Sequence, residues 1–106
     1  MAGELISYKL VFAQDFQKDY KKVIGKDATL VKKFLKTVDN LQTNPFLSSL
    51  RTHKVDTKKY DGVYSSWVTG DIRIIWQLDE NKNTIIIALQ LGTHSGASQV
   101  YKNKSS

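Results

Sequence analysis

The sequence predicts an α+β domain with the order β-α-α-β-β-β, a helical hairpin packed on one face of an antiparallel sheet. Three observations carry this. Residues 5–12 alternate, with Ile6, Tyr8, Leu10 and Phe12 on one side and Ser7 and Lys9 on the other. Apolar residues then recur at helical spacing through two consecutive segments. From Val63 onward the chain is a series of β-branched and aromatic runs broken by short polar turns.

In the first helical segment Phe12, Phe16, Tyr20 and Ile24 recur every four residues, and Gly25 is placed to end it. Asp27 is the expected N-cap of the second helix. Its stripe is Leu30, Val31, Phe34, Leu35, Val38 and Leu41. That helix should stop before Asn44-Pro45, because a residue preceding proline disfavours the α region. Val63 to Thr69 and Ile72 to Leu78 flank Gly70-Asp71, which suits a two-residue hairpin turn. Pairing Thr69 with Ile72 would place Val63, Ser65, Trp67, Ile72, Ile74, Trp76 and Leu78 under the helices, with Trp67 and Trp76 buried together. Tyr64, Ser66, Val68, Arg73, Ile75 and Gln77 would then form an open, polar face. A one-residue slip would exchange such faces. The last strand is Thr84 to Leu91, and the segment after His94 is expected to hold a short helix or a loop.

Composition narrows the chemistry. The 106 residues suit a single domain over 1–106, with residues 1–4 and 102–106 expected to fray. There is no cysteine, so disulfides, thiolate nucleophiles and Cys-ligated metals are excluded. With two histidines, His53 and His94, no metal site and no cofactor are expected. The first ten residues do not read as a signal peptide, and the longest apolar run, Ile85 to Leu89, is far too short for a membrane span, so a cytoplasmic location without membrane contact is expected. A net charge of +6 favours an anionic partner such as nucleic acid, or reflects a solvated lysine surface.

Three clusters could do chemistry. Arg73, beside Tyr64, Ser66 and Gln77 on the expected open face, could hold a phosphate through its guanidinium fork. Arg51-Thr52-His53-Lys54 sets a titratable imidazole between cations. Leu91-Gly92-Thr93-His94 delivers a histidine at a strand exit. Metal-independent RNA cleavage needs a base for the 2′-hydroxyl, a cation for the charge building on phosphorus, and an acid for the departing 5′-oxygen. His53, Arg73 and His94 could supply these, and Tyr64 or Tyr101 could stack a base. No P-loop, dinucleotide fingerprint or Ser-His-Asp signature is present.

Four pieces in order resemble the RelE/ParE toxin superfamily, most closely its RelE, YafQ and HigB-type ribonucleases. They are Asn44-Pro45, Leu50-Arg51-Thr52-His53-Lys54, Gly70-Asp71-Ile72-Arg73-Ile74-Ile75-Trp76, and Leu91-Gly92-Thr93-His94 with Val100-Tyr101. The resemblance spans about residues 7 to 101. It implies a toxin of a type II toxin–antitoxin system that cuts mRNA on the ribosome and is neutralised by a cognate antitoxin protein. It also implies His53, Asp71, Arg73, His94 and Tyr101 as catalytic residues, while the open face and the cations flanking His53 offer Tyr64, Ser66, Gln77, Arg51 and Lys54 to the RNA. RelE-like toxins have lysines where this chain has Tyr64 and Ser66, and YafQ-like toxins a histidine where it has Trp67. The alternative is a ParE-like DNA gyrase inhibitor or an inactive RNA-binding protein of the same fold.

Overall fold

A computed structural model describes residues 7–94, 96 and 99–101. Strand β1 (Lys9–Phe12) leads into helices α1 (Gln14–Val23) and α2 (Ala28–Thr43), and a 3₁₀ turn (Ser48–Leu50) precedes β2 (His53–Val55). Strands β3 (Val63–Trp67), β4 (Ile72–Leu78) and β5 (Ile85–Thr93) follow. The five strands form one sheet in the order β1-β5-β4-β3-β2.

The helix signals act as their chemistry dictates. Gly25 takes a φ of 59°, the left-handed turn that ends α1. The carboxylate of Asp27 accepts from the Leu30 N–H at 3.1 Å and caps α2. Helix α2 stops at Thr43, before Pro45. Both helices pack on one sheet face, where Phe16, Ile24, Phe34 and Leu41 meet Ile72, Ile74, Trp76, Ile86, Ala88 and Leu91. Leu35, counted in the apolar stripe, is 58% exposed, and Thr37 is buried in its stead.

Four expectations need correction. The sheet is mixed rather than antiparallel, because β1 runs parallel to β5, from Lys9 opposite Ile85 to Phe12 opposite Ala88. His53–Val55, to which the sequence assigned no strand, is a short edge strand pairing with β3. The β3–β4 register is one residue off the expected one: Trp67 pairs with Arg73 and Tyr64 with Trp76. The turn explains the slip. Gly70 lacks the positive φ that a two-residue turn of this kind requires. Instead Thr69 Oγ1 accepts from the N–H groups of Asp71 and Ile72, and Val68 N–H donates to Ile72 O at 2.8 Å, closing a three-residue loop. Tyr64 and Ser66 therefore lie on the helix side, while Val63, Ser65 and Trp67 share the far face with Arg73. Lastly, that far face is not wholly polar. Val63, Ile75, Leu89 and Val100 form a second, smaller apolar cluster there. The termini 1–4 and 102–106, expected to fray, lie outside the described residues.

Candidate active site

The far face of the sheet holds a cleft of about 740 Å³ lined by His53, Lys54, Val55, Asp56, Gly62, Arg73, His94, Gln99 and Tyr101. Its parts come from four places in the chain. Edge strand β2 presents His53, β4 presents Arg73, the exit of β5 presents His94, and the C-terminal segment brings Tyr101 back over the sheet through a bridge between Thr57 and Tyr101.

Arg73 is 6% exposed, unusually buried for a charge. Its Nη2 donates to Gly70 O at 2.7 Å, and its Nη1 reaches Tyr101 Oη at 3.5 Å. Opposite it on β5 stands Gly92, which contributes no side chain to that face. The guanidinium is thus anchored at one corner by the turn. Tyr101 is fixed in turn by a hydrogen bond between its hydroxyl and that of Ser65, and its ring meets the His94 ring edge-on with centroids 5.6 Å apart.

His94 is exposed, and its backbone is held by Asp71, whose carbonyl oxygen and Oδ1 accept from His94 N–H at 2.8 and 3.2 Å. One turn, Gly70-Asp71, therefore anchors both Arg73 and His94. His53 Nδ1 lies 2.9 Å from Arg51 O. A carbonyl only accepts, so Nδ1 carries the proton and Nε2 of the neutral ring is left as the basic nitrogen. Among the described residues no three His, Cys, Asp or Glu side chains are grouped to hold a metal ion.

The structure thus brings His53, Arg73, His94 and Tyr101 to one cleft, with Asp71 behind His94; Lys54 borders it, but its ammonium lies over Tyr64 on the helix side. Arg51 sits at its margin, with its guanidinium 4.8 Å from the centre of the Trp67 ring. Besides Arg51 and Asp71, three predicted residues do not line the cleft. Ser66 is fully buried on the helix side, where it accepts from Trp76 Nε1 at 2.8 Å. Tyr64 stacks on Trp76 at 4.7 Å, with Lys54 Nζ 5.7 Å above it. Gln77 shares the far face but does not line the cleft. Sequence reasoning missed Ser65 and Trp67. Their signal was the alternation of β3, which was read in the wrong phase.

This architecture, a helical hairpin over a mixed five-stranded sheet with a cationic, histidine-bearing cleft on the reverse, is that of the RelE/ParE fold. The family model for YafQ, the bacterial toxin of a type II toxin–antitoxin system, matches residues 8–98, and the chain belongs to that family. Among solved structures the chain resembles a YoeB/ParE toxin from Agrobacterium tumefaciens, with TM-score 0.65, 21% identity, and 82% of this chain and 99% of that one covered. It also resembles the RelE of an archaeal RelE–RelB complex from Pyrococcus horikoshii OT3, with TM-score 0.64, 18% identity and coverage of 86% and 99%. YafQ from E. coli strain BL21(DE3) matches with TM-score 0.54, 19% identity and coverage of 81% and 92%. No curated protein sequence matches this chain. No helix among the described residues is long and apolar enough to cross a membrane.

Proposed function

We propose that this toxin is a metal-independent endoribonuclease that cuts mRNA on the ribosome and is held inactive by a cognate antitoxin protein. The observation that carries the reading is the convergence of His53, Arg73, His94 and Tyr101 on one cleft. Those are the parts that in-line attack by a 2′-hydroxyl requires. His53 Nε2 takes the 2′-OH proton, and the 2′-oxygen bonds to phosphorus. Arg73 stabilises the charge gathering on the phosphoryl oxygens. The bond from phosphorus to the 5′-oxygen breaks, and His94 returns a proton to that oxygen. The products are a 2′,3′-cyclic phosphate and a free 5′-hydroxyl. The histidines could exchange roles, since both face the cleft. Tyr101 orients the RNA, and Asp71 positions His94.

The antitoxin reading is supported by related folds solved as toxin–antitoxin complexes, including DinJ–YafQ of E. coli and YoeB–YefM of Staphylococcus aureus. A net charge of +6 suits an acidic partner segment. The test is induction of the protein in growing cells with mapping of mRNA 5′ ends. Ends in register with codons, lost in His94→Ala, support the reading. A positioned acid or base contributes about 10²–10⁴ in rate, so the loss should be nearly complete. Growth arrest without new mRNA ends, relieved by resistant gyrase, would replace it with gyrase inhibition.

A further inference from the structure

Trp67 stands between two arginines. Arg73 is its cross-strand partner on β4, with the guanidinium carbon 4.2 Å from the ring centroid. On the other side, continuing the β2–β3 register beyond His53 and Ser65 brings Arg51 level with Trp67, its guanidinium carbon 4.8 Å from the same centroid. The row Arg51, Trp67, Arg73 thus crosses the sheet at the margin of the cleft. Arg51 reaches this place at a conformational cost. It is the one described residue other than glycine with a positive φ, 51°. Such strain gathers where a side chain must be aimed. Two donors in the row, Trp67 Nε1 and Arg73 Nε, are buried without a hydrogen-bond partner among the described residues.

We propose that Trp67 is a positioning residue that spaces and aligns Arg51 and Arg73 so that they grip two phosphates of one RNA strand; this rests on the reading of the cleft as an RNA site. The electron-rich ring attracts each guanidinium and offsets their mutual repulsion. Strands two apart are separated by roughly 10 Å at the backbone. That spacing suits separate phosphates along one strand rather than a shared one. Arg73, anchored to Gly70 O and facing the histidines, takes the phosphate that reacts. Arg51, exposed at the margin, takes a neighbour. Both guanidinium carbons lie within 4.8 Å of the indole centroid, so the ring limits how far either can move.

The test measures binding of a 2′-O-methyl oligoribonucleotide, which cannot be cut, over a range of salt concentrations. Each phosphate contact to a single strand contributes about 0.7 to the slope of log affinity against log salt. Trp67→Leu removes no charge, yet should weaken binding roughly tenfold, from two contacts each giving about 2–5-fold, and flatten the slope by up to about 1.4. Trp67→Phe should retain most of both. Arg51→Ala should flatten the slope by about 0.7. A folded Trp67→Leu with the parent's affinity and slope overturns the proposal, as does a parent that shows no salt-dependent RNA binding. If the parent cuts mRNA while Trp67→Leu keeps the slope, only the platform fails. If Trp67→Leu flattens the slope of a parent that cuts nothing, the platform stands and the ribonuclease reading falls.

Discussion

The two faces of the sheet are built to different rules. Beneath the helices Leu41, Ile74, Trp76, Ile86 and Ala88 are wholly buried, and the polar atoms among them are satisfied in sequence. Trp76 Nε1 donates to Ser66, Ser66 shares a hydrogen bond with Thr52, and Thr52 donates to Pro45 O. The reverse face carries a small apolar cluster at one end and, beside it, a buried guanidinium. Three of its polar atoms, Trp67 Nε1, Arg73 Nε and Gln90 Oε1, have no partner among the described residues. An unsatisfied buried donor or acceptor costs about 1–3 kcal/mol. The contrast teaches where stability and function reside: one face secures the fold, and the other carries groups whose burial destabilises it.

The comparison predicts opposite outcomes for large substitutions on the two faces. Trp76→Ala empties a fully buried site and removes one of the two hydrogen bonds of the Ser66 hydroxyl. It should cost about 3–5 kcal/mol, read from urea unfolding. A loss under about 1 kcal/mol would mean that this face is not the main core. Arg73→Met, three residues earlier on β4 and on the other face, should cut mRNA cleavage by about 10²–10³. Its stability should be unchanged or higher, because an apolar side chain replaces a buried charge. An Arg73→Met protein that unfolds as readily as Trp76→Ala would erase the distinction between the faces.

A smaller effect separates touching a substrate from positioning a group that does. Asp71→Ala removes the side-chain acceptor at His94 N–H but leaves the carbonyl contact from the same residue. One hydrogen bond of this kind contributes about 1 kcal/mol, so cleavage should fall roughly fivefold. A loss as large as that of His94→Ala would place Asp71 in the chemistry itself.

The same contrast explains what could be read from the sequence. The helix face was legible, because its stripes, the Asp27 cap, the Gly25 stop and the Pro45 boundary are local signals. Strand β4 was legible too, since Ile72, Ile74 and Trp76 alternate against Arg73 and Gln77. Strand β3 was not. Val63, Ser65 and Trp67 are nearly as apolar as Tyr64, Ser66 and Val68, so burial hardly chooses between phases. The choice fell to the Thr69 hydroxyl, whose capping of the loop lengthens the turn by one residue. The placing of Arg73, His53 and His94 at one cleft does not depend on that choice. Ser65 and Trp67 were missed, and Tyr64 and Ser66 misplaced, because their positions do. Edge strand β2, three residues long, is too short to show a period.

The smallest effect concerns a link between the helical layer and the segment walling the cleft. Lys59, between Asp56 and Gly62, pairs with Asp15 in the first turn of α1. The hydrogen bond and charge of Lys59 hold the Asp15 carboxyl below its ordinary value of 3.8. The same bond and charge from Asp15 hold the Lys59 ammonium above 10.5. The depressed carboxyl contributes above its unfolded value and loses that contribution as pH falls through the folded one. The raised ammonium contributes below its unfolded value and loses it as pH rises beyond the folded one. Both are therefore present across the neutral range. The side chains are 55% and 46% exposed, so solvent and salt screen the pair heavily. Asp15→Asn should lower stability only slightly at neutral pH and low salt, and proteolysis near Lys58 and Lys59 should quicken. Both differences should vanish in 1 M salt, where screening acts within about 3 Å, and at pH well below 3.8, where the parent carboxylate is itself protonated. A difference that persists in acid and in salt would assign Asp15 a role at the helix N-terminus in place of a charge link to the cleft wall.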